Sequence, residues 1–516
     1  MTQTITRPRT AEQALVLLSV CLAAAAMPLT FTGPAVALPA IGKALGGSPI
    51  ALNWVTNAFM LTFGSSLMAA GGLADAYGRK RVFLIGVGAF AVLSMALAVA
   101  PDILWFDLGR AAQGVAAAAA FSGGMAALAQ EFDGASRIRA FSIVGTSFGI
   151  GLAFGPIASG LMIDAFGWRS IFGLVVVLAV LALALGARVL QESRDPDAAG
   201  LDWPGAASFT LALALFTYGA LLAPERGWYE PGVMSLLAGS VLLFIAFVVI
   251  EGRVARPMLD LSLFRYPRFV GVQLLAAAPA YAFVVLLILL PVRFIGIEGL
   301  SEIAAGRLMI ALSAPLLVLP IAAGLLTRWF APATICGAGL LICAAGLFWL
   351  SRVPLGGETM GIAMPMALIG IGISLPWGLM DGLAVSVVPR ERAGMATGIF
   401  STTRVAGEGV ALAVVSAVLS ALTAGHLAAG ATTAHAGPAA QRLVTGDIAS
   451  AAAALPQMSR TALVQGYGEA FATVLVMLCA VTVVTAIVVF AFLGRGGEQG
   501  AEPAVEAQER LRTSEA

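Results

Sequence analysis

Arg404 and Glu408 stand four residues apart in a stretch, residues 393 to 422, that carries no other charge. Residues at that spacing share one face of a helix. Burial raises the pKa of a carboxyl and a neighbouring cation lowers it. A carboxyl whose arginine contact is made in one conformation and broken in another therefore loads and releases a proton; the alternative is a permanent ion pair. The order Arg before Glu is the weaker helical pairing, which favours switching. Arg110, in Arg110-Ala-Ala-Gln113-Gly114, lies within a second apolar run. An arginine at such depth costs at least about 2.5 kcal/mol unless paired or hydrated, so it faces the protein interior, either for proton chemistry or tied to backbone carbonyls. Asp107, one turn earlier, is placed to neutralise it. Asp381, in Pro376-Trp377-Gly-Leu-Met-Asp381-Gly382, is a second candidate proton site or a capping carboxylate near a helix end.

Other chemistries lack their residues. The two histidines, His426 and His435, fall in one polar stretch, and Cys21, Cys336, Cys343 and Cys479 lie in apolar runs without metal-ligand company. They read as small core residues, so no zinc site, disulfide framework or metal site is expected. A membrane enzyme would lack a paired nucleophile and base, and no G-x-x-x-x-G-K-[ST] loop is present for ATP. With 29 basic and 28 acidic residues, the chain has no surplus of positive charge for nucleic acid.

The elements that position these charges are membrane helices. Of 516 residues, 59% are hydrophobic and 11% charged, less than half the charged share of roughly 25% in a soluble domain. Apolar runs bounded by charges, glycines and prolines predict an all-α polytopic protein of fourteen transmembrane helices. Segments 14–40, 50–71, 82–100, 104–130, 140–163 and 170–190 form a first bundle. Two linker helices follow at 205–222 and 233–251, then a second bundle at 269–291, 303–326, 331–351, 360–386, 393–422 and 467–493. Residues 1–13 are read as a cytoplasmic N-terminus, 14–190 as the first bundle and 191–268 as the two linker helices with their flanks. Residues 269–493 are the second bundle with an external loop at 424–465, and 494–516 a disordered tail. The first run is too long for a signal-peptide core and reads as an uncleaved helix. Most of the 29 Lys and Arg residues fall in the connections on the side of the termini, which predicts cytoplasmic termini; Arg293 is assigned to the opposite side. At 1.5 Å per residue, Arg404 and Glu408 lie ~16 and ~22 Å from the cytoplasmic start of their helix, and Arg110 ~10 Å from the outer end of its own. All three are expected to share the outer half of a central cavity.

Between the second and third helices stands Gly71-Gly-Leu-Ala-Asp75-Ala-Tyr-Gly78-Arg79-Lys80-Arg81. A two-glycine turn with one carboxylate and three cations suits a latch on the ends of neighbouring helices, Asp75 accepting from a helix N-terminus or an arginine. The fifth predicted helix spaces Gly151, Gly155, Pro156 and Gly160 so that another helix packs close and the chain bends at the proline. The loop resembles the major facilitator signature G-x-L-A-D-R-x-G-R-K-R, departing from it at Ala76. The Arg110 segment resembles the R-x-x-Q-G motif, and the glycine-proline segment the antiporter motif, of proton-linked exporters in that superfamily. Gly167-Trp168-Arg169, Leu201-Asp202-Trp203 and Leu261-Ser-Leu-Phe264 extend the likeness, over residues 14 to 493, to the fourteen-helix drug:proton antiporters of the EmrB/QacA type.

The resemblance implies a multi-pass protein of a bacterial cytoplasmic (inner) membrane that exports small amphipathic or toxic molecules against protons, two six-helix bundles rocking about a midplane site. It implies no cofactor beyond the proton gradient, with the small-molecule substrate, protons and membrane lipid as partners. A periplasmic adaptor protein, as used by some family members, belongs to the same expectation. Family members commonly carry an aspartate and an asparagine in helix one where this chain has Thr30 and Ala35. That departure moves the coupling burden to Glu408 and Asp381 and weakens the case for cationic drugs. A narrow-range exporter of a metabolite such as a siderophore, an importer of the same superfamily, and a transport-dead sensor are the rival readings.

Overall fold

A backbone inside a bilayer must satisfy its own hydrogen bonds, and the chain does so with helices. The computed structural model describes residues 10–132, 134–194, 202–254, 259, 261–387, 393–428 and 433–494, and no strand occurs among them. The first half comprises α1 (Thr10–Leu45), α2 (Pro49–Tyr77), α3 (Arg79–Ala98), α4 (Ile103–Glu131), α5 (Gly134–Phe166) and α6 (Ser170–Val189). Then come α7 (Trp203–Arg226) and α8 (Pro231–Glu251). The second half is α9 (Pro267–Ile297), α10 (Glu302–Leu326), α11 (Pro332–Ser351), α12 (Thr359–Ser386) and α13 (Ala393–Ala428). It is completed by the short α14 (Thr433–Val444) and α15 (Ile448–Ala454) and by the long α16 (Arg460–Leu493).

Polar caps set the entry points. Asp102, Glu230, Ser301 and Ser459 each accept a hydrogen bond from the backbone N–H three residues on, satisfying a donor that the first turn leaves open. Among the described residues twelve helices are long and apolar enough to cross a membrane, and α5 makes a thirteenth when its two arms count as one span. The expected fourteen needs α2 as well. That helix is 29 residues long, but Asn53, Asn57, Thr62, Ser65 and Asp75 dilute its hydropathy. The arms of α5, Ile143–Leu152 and Phe154–Phe166, meet at 43°. Pro156 explains the bend, because it offers no N–H to the carbonyl of Leu152.

The start of α1 lies beside the end of α4, where Gln13 donates to Glu131 O at 3.3 Å, and Gly271 of α9 abuts Phe492 and Leu493 of α16. This end of the bundle is the terminal face; the opposite end is the far face. The two halves meet along two seams, α2 against α13 and α5 against α10. At the first, Gly64 faces the backbone of Val405 and Ala406; at the second, Gly160 faces the carbonyl of Glu302, and a Cβ there would stand 2.7 Å from it. The extra pair does not separate the halves. α7 lies on the α2–α13 seam, with Trp54 and Tyr218 rings 6.4 Å apart, and only 17% of the α8 span is buried. The predicted loop 424–465 contains two packed helices, α14 against α13 and α15 against α16.

Candidate functional site

On α13, Glu408 is 3% exposed and Arg404 8%. The charge of Arg404 acts on Glu408. Its guanidinium also lies 5.6 Å from the Phe400 ring centre and 5.9 Å from that of Trp377 on α12, within reach of cation–π attraction. Trp377 in turn meets Phe283 of α9 edge-on at 6.2 Å. A buried carboxyl is thus held beside a cation that has aromatic faces to rest on when the carboxyl does not need it.

Arg110 is fully buried. Its Nε donates to Val55 O at 2.7 Å and Nη1 to Gln113 Oε1 at 2.5 Å, and the guanidinium lies 4.6 Å from the centre of the Phe59 ring. Gln113 passes the chain on to Ser94 Oγ at 2.8 Å, and Ser94 donates to Phe90 O at 2.6 Å. Arg110 therefore ties α4 to α2 and α3. Asp107 interacts with it electrostatically, while Asp107 Oδ1 and Arg110 Nη2 are buried without hydrogen-bond partners. Gly114 makes the approach feasible, since a Cβ there would stand 2.5 Å from Phe59 O.

Among the described residues the contacts of Arg110 and those of the Arg404–Glu408 pair lie on different faces of α2. Val55, Phe59 and Thr62 of α2 face α4, with Thr62 Oγ1 donating to Ala111 O at 2.8 Å. Met60, Leu61 and Gly64, on the other side of the same helix, face α13. Arg110 and the Arg404–Glu408 pair thus stand on opposite sides of α2. Depth counting carries no information on direction around the helix axis.

In the α2–α3 turn, Gly78 takes φ +115°, a conformation that only glycine adopts readily. Asp75 Oδ1 accepts from Arg79 Nη2 at 2.9 Å and Nε at 3.0 Å, and Arg79 Nη1 donates to Gln130 Oε1 at 2.6 Å. Lys80 Nζ donates to Ala187 O at 3.0 Å. Glu192, just past α6, accepts from Lys80 N at 3.2 Å and pairs with Arg81 at 3.4 Å. The turn accordingly latches α2, α3, α4 and α6 within one half. Gly71 has nothing within 4 Å of a Cβ and serves no close contact. Glu192 was not anticipated; its signal was an acidic residue directly after a helix whose neighbours are cations.

The glycines of the α5 motif serve two partners. Gly151 and Gly155 press against Ala25 O and Thr32 of α1, and Gly160 against α10, where Gly306 lies 3.0 Å from Ile157 Cα when given a Cβ. Pro156 and Gly160 thus stand at the seam between halves. Thr30 is 1% exposed and donates to Met27 O. Asp381 lies in the last two turns of α12; its side chain is outside the described residues. No group of three metal-ligating side chains occurs among the described residues.

Arg293, assigned to a far-side connection, is instead 2% exposed at the end of α9. Its Nε donates to Glu298 Oε1 at 2.6 Å.

Comparison with known proteins matches residues 18–412 to the Major Facilitator Superfamily. The multidrug resistance protein Stp of Mycobacterium tuberculosis is 32% identical over 389 residues, 75% of this chain and 72% of that protein. The cephamycin export protein CmcT of Amycolatopsis lactamdurans is 33% identical over 407 residues, 76% of this chain and 82% of the relative. The puromycin resistance protein pur8 of Streptomyces alboniger is 32% identical, covering 76% and 79%. Among solved structures, a bacterial homolog of the human lysosomal transporter Spinster superposes with TM-score 0.62 at 14% identity, covering 94% of this chain and 98% of the other. The human organic anion transporter MFSD10 gives 0.56 at 15%, covering 93% and 100%. With two helical halves meeting along paired seams, this multi-pass membrane protein belongs to the major facilitator superfamily.

Proposed function

We propose that the protein is a proton-coupled exporter of small amphipathic or toxic compounds, of the fourteen-helix EmrB/QacA type. It works by alternating access in a bacterial cytoplasmic membrane. The terminal face is the cytoplasmic one, residues 14–190 and 269–493 are the rocking halves, and 191–268 carries the extra pair. The observation that carries the reading is Glu408, a carboxyl buried at membrane depth beside one cation, Arg404, that also has two aromatic faces available. The printed functions of the relatives, multidrug resistance and antibiotic export, support the substrate class and direction.

The coupling follows from the pair. With the site open to the outside, Glu408 takes a proton and its attraction for Arg404 ends; the guanidinium then rests on Trp377 and Phe400. With the site open inward, the proton leaves, and the carboxylate recovers Arg404. Substrate occupies the aromatic surface when the guanidinium is drawn off it, so proton and substrate alternate. Asp381 is assigned as a second proton site, Arg110 as the post that fixes α2 against α4 during rocking, and Asp75 with Arg79, Lys80 and Arg81 as the cytoplasmic latch. No cofactor takes part; a periplasmic adaptor would engage the far face.

Inside-out vesicles energised by an acid-inside pH gradient, with a lipophilic dye added to the medium, test this directly. Uptake that collapses with the gradient is the expected result, and uptake unaffected by it overturns the coupling. Thr30 in place of the family aspartate favours a narrower, less cationic substrate range as a second reading. A susceptibility panel in an efflux-deficient host separates the two: protection against one chemical class alone is the narrow-range outcome.

A further inference from the structure

The helix α9 departs from α-helix twice, at its middle over Ala280–Val284 and at its far end over Arg293–Ile297, where the backbone winds as π-helix. Each π segment follows a proline, Pro279 or Pro291. The second closes through Glu298 N donating to Arg293 O at 3.0 Å, a step of five residues. That step aligns the side chains of Arg293 and Glu298, which pair at 2.6 Å with 3% and 5% of their surface exposed. In an α-helix residues five apart point about 140° away from each other, so this pair exists only in the π register.

Contacts around the turn converge on the closure of the far face. Glu298 Oε2 accepts from Gly356 N in the α11–α12 connection at 3.2 Å. The guanidinium lies 5.1 Å from the ring centre of Phe471 on α16. Gly446, at φ +82° between α14 and α15, presses on Gly296 and on Pro39 of α1. Val292 is buried with Val36, Leu38 and Ile41 of α1. One turn therefore joins both halves and the far-side helices. Arg293 Nη2 and Tyr467 Oη are buried beside it without hydrogen-bond partners, leaving the closed form short of full satisfaction.

We propose that residues 293–297 are the far-side latch of the transporter: a π turn that the Arg293–Glu298 pair holds in register while the far mouth is shut, and that rewinds to α-helix as it opens. The inference rests on the alternating-access reading. On rewinding, Glu298 swings off Arg293, Gly356 N–H is released and Gly446 loses its seat, while water entering the mouth hydrates the two charges. Removing one partner in the closed form leaves the other buried and unpaired, which is strongly unfavourable, so neutralising Glu298 drives the turn open.

The test uses the full chain with its four native cysteines replaced by serine and a single I295C thiol, probed from outside by a membrane-impermeant maleimide. E298Q is expected to raise the labelling rate by roughly tenfold and to speed amide exchange over 292–300 and 352–358 to a similar degree, with α3, α4 and α6 unchanged. Equal labelling and exchange in E298Q and its parent overturn the proposal. Should E298Q accelerate exchange throughout, R293K, which keeps the charge but loses the fork, is read under the same two outcomes. Neither readout involves substrate or protons. Failure here leaves the export reading standing, and failure of the proton-coupling assignment at Glu408 leaves this one standing.

Discussion

Two glycines from different motifs, Gly114 and Gly71, have opposite environments, and that difference is testable. Gly114 lets α4 touch α2, and a methyl group there overlaps Thr62 and Phe59 O; Gly114→Ala is expected to destabilise the protein by about 1–3 kcal/mol, read as a lower thermal midpoint in detergent. Gly71 has open space around it, so Gly71→Ala should leave the midpoint unchanged. At Arg110 the planar fork matters as well as the charge, because one guanidinium serves Val55 O, Gln113 and the Phe59 ring. Arg110→Lys cannot reproduce that geometry, and roughly tenfold slower dye export with normal membrane expression is expected; unimpaired export would remove the residue from the mechanism. The sequence marked Arg110, Arg404 and Glu408 because charges are scarce in apolar runs. It did not show that Arg110 belongs to an α2–α4 tie, since which neighbour a buried side chain meets depends on rotation about the helix axis as well as on depth.

Among the elements, the α2–α3 turn is held from outside its own signature by Glu192. The pair is half exposed, so Glu192→Gln is expected to cost under about 1 kcal/mol of stability. Its effect should appear instead in transport, as a reduced maximal rate with substrate affinity kept; unaltered rates would make the contact incidental. Most spans were legible as apolar runs, and the α5 bend was legible from Pro156. The π segments of α9 were not, because a proline announces a disturbed helix without specifying the register that follows. Nor was the helical content of 424–465, an Ala-, Thr- and Gly-rich stretch without the long apolar run that marks a span. α2 shows the converse: its length is that of a span, but its polar side chains face protein, with Asn57 and Ser65 buried, so hydropathy understates it.

For the whole molecule, the paired seams are where rocking must take place. Gly160 sits at one of them, against the carbonyl of Glu302. Gly160→Leu is expected to wedge α5 from α10 and halt transport while the protein still folds, whereas Gly145→Ala, with nothing within 4 Å, should be silent; export retained by the leucine variant would show that this seam does not need to close. The central claim is that proton and substrate compete through Glu408 and Arg404. It is tested most directly by following substrate-driven proton release from purified protein in proteoliposomes, wild type against Glu408→Gln. The glutamine variant, which stands for the protonated carboxyl and leaves the guanidinium on Trp377 and Phe400, is predicted to bind substrate weakly, release no proton and build no gradient-driven accumulation. Proton release equal to wild type would contradict the account.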